Sequence, residues 1–554
     1  MQKQRIWRRA VLCLLIGLGA LGQRAAAQSG NRLLGGPRGV VRSARGELLE
    51  GIMVQLISPK SALRTTVYTN VRGQYEFPKL EAGLYTLRIA RPLEYQPYVK
   101  ESVRIDAATP LEEIILDRVT DSDLLPPTPE VAAQLTGAEW MMNLPGTGEQ
   151  KKLFGNSCGY GCHSYQQIFR NRYDERSWRL VLDRMTKYAG SLIANPAVPP
   201  RPGEASRSDP VNYEVIAKWL STVRGPESQD APFVVLPRAF GPATRVIVTE
   251  YELPRLELAP HDVMGDAQGN IWYTSHRTPW LGRLDPRTGA IKEYAVPSMP
   301  GVNPGTHGVV VDKDGTVLLS ENWAHRVTRL DPRTGKFTQV SLPEGNVPLN
   351  SPAFGNFPVA PDGYIWVSRD GAIVKIDPKT GESVPQHKLK KVRGGAYGNE
   401  LNADGTIYAG GVSAGFVVYL NMKTGELYEL ETHSRTASPA KGGIDPQGNA
   451  WFGGRGGSLV KFDAKTHQLN EYPPPTQYTT FYEALPDKNG EVWAGELHGG
   501  RIVRFNPRAD KWIEYVLPEP YSHNRRTWID NSTDPVAVWY VDHNGYMVRL
   551  QPLD

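Results

Sequence analysis

One short unit recurs in the carboxy-terminal part of this 554-residue chain, and its spacing limits the possible folds. Each unit has an apolar strand, a polar turn that ends in glycine, and a second apolar strand that usually carries tryptophan. The turn glycines are Gly269, Gly315, Gly363, Gly405, Gly448 and Gly490, with spacings of 46, 48, 42, 43 and 42 residues. A period near forty with short strands and tight turns is typical of β-propellers. The repeat therefore predicts a propeller over residues 244–554.

The two ends of the repeat predict how the ring closes. A seventh, degenerate unit ends in Val536–Tyr540 and Met547–Leu550 and lacks its closing strand. At the other end, Thr249–Pro254 resembles Lys292–Pro297, which is the outermost strand of another unit. We therefore expect the amino-terminal piece to supply the missing strand and complete seven blades.

Residues 33–119 predict a small β-sandwich. Short runs of alternating apolar residues are separated by glycine turns, as in antiparallel strands. The pattern Thr69-x-x-x-Gly73-x-Tyr75-x-Phe77 resembles the carboxypeptidase regulatory-like domain, which is a sandwich of the transthyretin-like type. Aromatic residues on such strands belong mainly to the core. The resemblance implies a role in adhesion or spacing.

Residues 1–27 have the features of a signal peptide. Basic residues that include Arg5 and Arg9 precede the apolar run Ala10–Gly22, and Ala25–Ala27 follows it. We expect cleavage after Ala27 and a periplasmic or secreted product, with an uncleaved amino-terminal anchor as the alternative. No later run approaches the roughly 18 apolar residues of a membrane span. The mature chain would then keep two cysteines and no transmembrane segment.

Those two cysteines lie in Cys158-Gly-Tyr-Gly-Cys162-His163. Two cysteines followed at once by histidine predict covalent attachment of one haem c, with both thiols bonded to the vinyl groups and His163 as an axial ligand of the iron. The usual spacing has two residues between the cysteines, whereas this chain has three. A local disulfide, a thiol redox pair and part of a zinc site are the alternatives.

Residues 130–225 predict a helical unit around this motif. Trp178, Val181, Leu182 and Met185 fall on one helical face, and Asp209-Pro210 is suited to begin a later helix. A motif helix followed by a closing helix resembles a class I cytochrome c domain. Met185 is our candidate for the second axial metal ligand, although its apolar stripe equally fits an ordinary core methionine.

The propeller resembles the streptogramin B lyase (virginiamycin B lyase) family, whose blades carry Pro-His/Tyr-Gly-Ile followed by Gly-x-Ile/Leu-Trp. The resemblance implies a seven-bladed propeller, and characterised members of the family open a cyclic depsipeptide by metal-assisted elimination. Alignment on the turn glycine places several polar residues at the mouth of the central channel. These candidate substrate-binding residues are His261, His307, Glu321, Tyr482 and Glu496. They could also bind Mg²⁺ or another divalent cation, or supply an acid and a base.

The chain departs from the family at the positions that matter most. The essential histidines of the lyases lie in the last two blades, where this chain has Tyr482 and the histidine-free segment Trp528–Ala537. The family's glutamate two residues before the final histidine corresponds to Gly305, before His307. His261 and His307 lie in adjacent blades, so the ring symmetry could rebuild a similar pair elsewhere. The alternative is that these residues only satisfy the propeller's own turns.

The sequence thus predicts a multidomain, mainly β protein made of a small β-sandwich, a helical cytochrome c-like domain and a seven-bladed β-propeller. A net charge of +5 on so long a chain gives no support for nucleic-acid binding. We expect an exported c-type haem protein in electron transfer, whose propeller binds a redox partner protein or a small-molecule substrate. The alternatives are a metal-assisted streptogramin B lyase-like C–O lyase and a non-catalytic binding platform.

Overall fold

The structure is a computed structural model that describes most of the chain from residue 33 onward. The residues between 33 and 554 that are not described are 62, 107, 109, 120–123, 159–162, 190–209, 256, 277, 303, 313, 322–323, 325, 342–361, 370–371, 378, 392–397, 403–404, 412–414 and 435–436. The expected signal peptide, Cys162 and Asp209 lie outside the described residues.

The amino-terminal unit is a β-sandwich-like arrangement of seven described strands, as the sequence predicted. They are β1 (Arg38–Ser43), β2 (Met53–Ile57), β3 (Arg64–Tyr68), β4 (Gln74–Glu76), β5 (Gly83–Ile89), β6 (Val99–Ile105) and β7 (Ile114–Leu116). One sheet has the order β4-β1-β7, and the other contains β3-β2-β5-β6. Tyr75 and Phe77 are buried in the core between them, at 4% and 0% exposure, so these aromatic residues stabilise the sandwich.

The helical unit follows, and a small two-stranded sheet joins its two ends. Its helices are α1 (Pro129–Ala132), α2 (Gly137–Asn143), α3 (Gly148–Cys158), α4 (Tyr165–Phe169), α5 (Glu175–Ala189) and α6 (Pro210–Val223). The two short strands are β8 (Leu124–Leu125) and β9 (Phe233–Val234), which pair with each other. None of the described helices is long and apolar enough to cross a membrane.

Aromatic side chains form the core of the helical unit. Phe154 of α3 packs against Trp219 of α6, with 5.3 Å between ring centroids. Trp178 and Leu182 of α5 are buried in the same core, as their spacing predicted, whereas Met185 is half-buried. The motif helix α3 and the closing helix α6 are thus in direct contact.

Seven successive sheets form the blades of the propeller, and each sheet is an antiparallel meander. Blades 1 and 2 are β11–β14 (Pro260–Gly265, Ile271–Ser275, Trp280–Asp285, Ala290–Ala295) and β15–β18 (Thr306–Val311, Val317–Glu321, Arg326–Asp331, Lys336–Ser341). Blades 3 and 4 are β19–β21 (Ile365–Arg369, Ala372–Ile376, Ser383–Lys388) and β22–β25 (Asn399–Leu401, Thr406–Gly411, Phe416–Asn421, Leu427–Glu431). Blades 5 and 6 are β26–β29 (Pro439–Ile444, Ala450–Gly454, Leu459–Asp463, Gln468–Tyr472) and β30–β33 (Phe481–Pro486, Val492–Glu496, Arg501–Asn506, Lys511–Val516).

Blade 7 closes the ring in the way the sequence predicted. Its strands are β34 (Thr527–Asp530), β35 (Ala537–Asp542), β36 (Tyr546–Pro552) and β10 (Val246–Glu252). The amino-terminal strand β10 pairs antiparallel with the last strand β36 along its whole length. A short 3₁₀ helix, Gly241–Thr244, precedes β10.

The sandwich is fused to the propeller through the same strand. The free edge of β10 pairs antiparallel with β3, which joins blade 7 and one layer of the sandwich in a single eight-stranded sheet. Gln55 donates a buried hydrogen bond of 3.0 Å to Glu250 across this junction. The pairing covers the outer edge of blade 7, which would otherwise expose unpaired backbone groups.

A local interaction explains why the repeat is visible in the sequence. At the end of three inner strands, an aspartate accepts a hydrogen bond from the indole N–H of the next strand's tryptophan. The pairs are Asp266–Trp272 at 3.0 Å, Asp445–Trp451 at 3.0 Å and Asp487–Trp493 at 2.9 Å. The turn glycine between them has a positive φ, 80° at Gly269 and 78° at Gly490, which other residues rarely adopt.

Candidate active site at the propeller mouth

A β-bulge at the start of the inner strand directs side chains into the channel. In blades 1, 2, 5 and 6 the pairing with the second strand skips two residues near the start of the inner strand. The skipped residues are His261 and Asp262, His307 and Gly308, Ala440 and Lys441, and Tyr482 and Glu483. Bulges commonly re-aim side chains near binding sites. One backbone irregularity therefore presents both predicted and unpredicted residues at the mouth.

His261 is held between two polar partners. Its Nδ1 lies 2.6 Å from Oδ1 of Asp262, and its Nε2 lies 3.3 Å from the hydroxyl oxygen of Tyr482. This network assigns the proton to Nδ1, which donates to the carboxylate, and leaves Nε2 as an acceptor. Burial, reinforced by the charge of Arg525, holds the pKa of His261 well below its usual range. His261 is therefore a neutral imidazole with a defined tautomer.

Two further imidazoles contact His261. The ring of His307 lies 3.8 Å from that of His261, and His276 lies 5.0 Å and 5.1 Å from the two. Burial and the neighbouring His261 hold the pKa of His307 well below its usual range. The Nδ1 atom of His307 has no hydrogen-bond partner among the described residues, and the residue is only 3% exposed. A polar ligand atom would satisfy this buried group.

A buried network of charges surrounds the imidazoles. Arg526 bridges two carboxylates, with Nη1 2.7 Å from Oδ2 of Asp262 and Nε 2.6 Å from Oε1 of Glu483. The Lys441 Nζ lies 3.7 Å from Oδ1 of Asp262. Burial, with the charge of Arg526, lowers the pKa of Lys441 to about 7. Both carboxylates that contact Arg526, those of Asp262 and Glu483, therefore already have a cationic partner.

Glu321 lies outside the histidine cluster and has a complete set of partners. Arg326 donates to its Oε2 from Nε at 2.9 Å and from Nη2 at 2.6 Å. Gln339 and Thr328 donate to Oε1. Two guanidinium nitrogens thus donate to one carboxylate oxygen, and these charge-assisted hydrogen bonds fix the end of the blade. No described contact joins Glu321 to His261 or His307.

Glu496 also lies outside the cluster, in blade 6. It is fully buried, and its Oε2 is 3.8 Å from Nη1 of Arg501. Burial raises the pKa of Glu496 to about 8, so this group is protonated at neutral pH. The structure thus brings together His261, His307 and Tyr482, and places both glutamates apart from them.

The helical unit packs on the mouth side of blade 6. Its Tyr165 stacks on His498, which lies in the turn between Val492–Glu496 and Arg501–Asn506. Glu496 pairs with Phe481 at the start of the inner strand, so this turn is at the mouth end of the blade. Gln166 also donates a 3.0 Å hydrogen bond to the carbonyl oxygen of Pro520. The helical unit and the histidine cluster therefore share one face of the propeller.

The residues of the cysteine motif are partly described. Cys158 is the last residue of α3 and is half-buried, whereas Cys162 lies outside the described residues. The Nδ1 atom of His163 lies 3.1 Å from the carbonyl oxygen of Ser164. A backbone contact of this kind at Nδ1 orients the imidazole ring, as is common for ligating histidines. Met185 lies on α5 and is half-buried.

The fold and the site define a multidomain protein in which a β-sandwich and a helical unit are joined to a propeller with a histidine-rich mouth. Residues 243–505 match the model of the virginiamycin B lyase family, and residues 38–115 match the carboxypeptidase regulatory-like domain. The chain therefore contains a virginiamycin B lyase-like propeller and a carboxypeptidase regulatory-like domain. Neither match includes the helical unit, so its resemblance to cytochrome c stays a prediction. A search of curated proteins gives no match.

Several solved structures are similar to the propeller. A streptogramin B lyase is 20% identical, with 56% of this chain and 99% of that chain covered and a TM-score of 0.49. The virginiamycin B lyase from Staphylococcus aureus is 16% identical, with 55% and 99% covered and a TM-score of 0.48. The extracellular domain of a one-component system from B. thetaiotaomicron is 13% identical, with 52% and 40% covered and a TM-score of 0.42.

The resemblance to metal-assisted lyases raises the question of whether the mouth fits Mg²⁺. The donor atoms of His261, Asp262 and His307 lie within 4.8 Å of one another. However, Mg²⁺ prefers six oxygen ligands, and this set offers one carboxylate, which is already bound to Arg526. Two unit charges 4 Å apart interact by about 4 kcal/mol near a protein surface. At the same distance, the repulsion between a divalent ion and the cationic side chain of Arg526 or Lys441 would be twice as large. The residues present therefore do not fit a resident Mg²⁺.

Proposed function

We propose that the propeller mouth is a lyase-type acid–base site that breaks a C–O bond by elimination. The observation that carries the proposal is the position of His261 between Asp262 and Tyr482. An imidazole whose tautomer is fixed by a carboxylate is a competent general base, and a phenol within hydrogen-bond reach is a suitable acid. The match of residues 243–505 to the virginiamycin B lyase family supports this class of reaction.

The reaction follows from the roles of these three side chains. Nε2 of His261 removes a proton from a carbon next to a carbonyl, and the C–H electron pair becomes a C=C bond as the C–O bond breaks. The Tyr482 hydroxyl protonates the leaving oxygen. The 3.3 Å contact between His261 and Tyr482 then returns the proton from the imidazolium to the phenolate. No proton is gained or lost overall, and Asp262 stabilises the transient imidazolium.

His307 has a separate role in this proposal. Its Nδ1 atom can donate a hydrogen bond to the substrate carbonyl, where negative charge develops as the proton leaves. The low exposure of the cluster strengthens such an interaction, because little water competes with it. It also means that side chains at the mouth must move to admit the substrate.

Elimination is tested by the absorbance of the conjugated product. Purified protein is incubated with a streptogramin B depsipeptide and with β-acyloxy and β-alkoxy carbonyl compounds, both neutral and acidic. We expect turnover that His261→Asn and Tyr482→Phe abolish, whereas Arg508→Gln, on the opposite end of blade 6, retains it. A wild-type protein no faster than His261→Asn on every compound would contradict the proposal and favour a non-catalytic binding platform.

A second function, electron transfer by an exported c-type haem protein, is proposed for the helical unit. The cysteine and histidine motif supports it, as does the packing of the motif helix α3 on α6 through Phe154 and Trp219. Cys158, Cys162 and His163 would hold the haem, which supplies one-electron redox chemistry when bound. We propose that its partner is a redox protein, or a small molecule held at the propeller mouth, outside the cytoplasm.

The pyridine haemochrome spectrum of protein expressed with haem c maturation factors tests this second proposal. We expect covalent haem in the wild type and loss of the covalent product in Cys158→Ser. A mass spectrum that shows a Cys158–Cys162 disulfide and no haem would contradict it.

A further inference from the structure

We propose that the mouth recognises a substrate with an oxyanion group, a carboxylate or a phosphate, and that Lys441 and Arg455 hold this group where the resembled lyases use a metal. This inference rests on the proposed function, because it names the substrate class of the same site. It concerns two residues to which the acid–base mechanism assigns no role.

The two cations lie close to the ring of Tyr482. Lys441 is fully buried and Arg455 is 7% exposed. The Lys441 Nζ lies 5.6 Å from the centroid of the Tyr482 ring, and the Arg455 guanidinium carbon lies 5.1 Å from it. Tyr482 is also the hydrogen-bond partner of His261. An anion held by these cations would therefore be adjacent to the base and the acid.

Cationic and anionic side chains are both present around the mouth. Four cationic side chains act on the mouth residues, namely Lys441, Arg455, Arg525 and Arg526. Three carboxylates, Asp262, Glu483 and Glu400, act on Lys441. Arg526 alone is bound to two of these carboxylates. Among these named side chains of the described residues, the cations outnumber the carboxylates when Lys441 is protonated, so an anion placed between them would gain favourable electrostatic interactions.

His307 offers a buried hydrogen-bonding group in addition to these charges. The Nδ1 atom of His307 is buried without a hydrogen-bond partner among the described residues. A protonated Nδ1 donates a hydrogen bond, and an oxyanion or an adjacent carbonyl is a suitable acceptor. A bound cation would instead face Arg526 and Lys441 at short range. The same cluster therefore favours an anion over a metal ion.

The inference is tested by calorimetric titration with two probes, inorganic phosphate and malonate, near pH 7. We expect both Lys441→Met and Arg455→Gln to weaken binding by about tenfold or more, because each removes a charge-assisted hydrogen bond. Arg508→Gln, which removes an exposed cation at the opposite end of blade 6, should leave binding unchanged. Binding should also take up protons, since an anion stabilises charged Lys441, and Lys441→Met should abolish that uptake. Arg455→Gln provides the test if Lys441→Met does not fold, as judged by circular dichroism.

Three results would overturn the inference. They are the absence of binding of both probes to the wild type, equal binding by all variants, and stoichiometric Mg²⁺ or Zn²⁺ in equilibrium dialysis that His307→Asn removes. Elimination of neutral and acidic compounds at equal rates would overturn this inference and leave the proposed function intact. Binding of the probes without any elimination would contradict the proposed function and leave this inference intact.

Discussion

The ring of Tyr165 lies parallel to the imidazole of His498, with 3.7 Å between centroids and 10° between planes. This contact joins the helical unit to blade 6. The backbone N–H of Ala138 donates a 3.0 Å hydrogen bond to the carbonyl oxygen of His498. The neighbouring Gly137 is so close that an added Cβ would lie 2.8 Å from that oxygen and 3.0 Å from Cδ2 of Tyr165. The glycine is therefore required by the approach of two domains.

Gly137→Val should loosen this interface. Its side chain would overlap backbone and ring atoms, and overpacking of this kind costs about 1–3 kcal/mol. We expect faster amide hydrogen exchange in residues 497–500 and a lower melting temperature. Gly148→Val is the matched control, because Gly148 also lies near the start of a helix but has nothing within 4 Å of an added Cβ. Equal effects of the two variants would show that the contact does not join the domains.

Asp487→Ala should destabilise blade 6. The change leaves the buried indole N–H of Trp493 without its 2.9 Å partner and removes bonds to two turn amides. An unsatisfied buried donor costs about 1–3 kcal/mol. The free energy of unfolding from urea titration should fall by that amount, whereas Arg508→Ala, in an exposed turn of the same blade, should change it little. A loss no larger than that of Arg508→Ala would contradict this role.

The sequence predicted the propeller because its determinants are local. The turn glycine, the aspartate before it and the tryptophan after it lie within a few residues, so each blade carries its own signature. The closing strand was also predictable, since Thr249–Pro254 keeps the pattern of an outer strand. The pairing of β10 with β3 was not predictable from the sequence, because the edge strand of a sheet can pair with any strand that tertiary packing brings to it.

The mouth was predictable only in part for a similar reason. His261, His307 and Tyr482 follow the family pattern, whereas Lys441 and Glu483 enter the channel because a β-bulge changes the register of their strands. The signal in the sequence was the charged residue that follows the mouth position in three blades, as in His261-Asp262. Glu321 had the same sequence support as the histidines, and only the structure shows its pairing with Arg326.

Glu496 should make the protein less stable as pH rises. Burial raises its pKa to about 8 in the folded chain from about 4.5 in the unfolded chain, so the folded state binds the extra proton between these values. The contribution of Glu496 to the free energy of unfolding is therefore complete below pH 4.5, falls between pH 4.5 and 8, and stays low above pH 8. In urea unfolding between pH 5.5 and 8, the free energy of unfolding of the wild type should fall as pH rises. Glu496→Gln should make this slope less negative by an amount that corresponds to up to one proton. An unchanged slope in Glu496→Gln would show that another group binds the proton that the folded state retains in this pH range.

Met185→Ala tests the second axial ligand of the proposed haem. A thioether ligand stabilises reduced iron, so its loss should shift the Soret band and lower the reduction potential. Met142→Ala, in α2, should leave both unchanged. An unchanged spectrum in a folded Met185→Ala protein would identify Met185 as a core residue.

Asp262→Asn should lower the elimination rate more than it weakens substrate binding. The carboxylate fixes the tautomer of His261 through the 2.6 Å contact at Nδ1, and an asparagine cannot stabilise an imidazolium in the same way. General acid–base catalysis contributes about 10²- to 10⁴-fold, so kcat should fall within that range while KM changes little. Asp285→Asn, which removes a half-buried carboxylate from its pair with Arg287, is the control. An Asp262→Asn protein that changes KM alone would make Asp262 a binding residue and remove it from the mechanism.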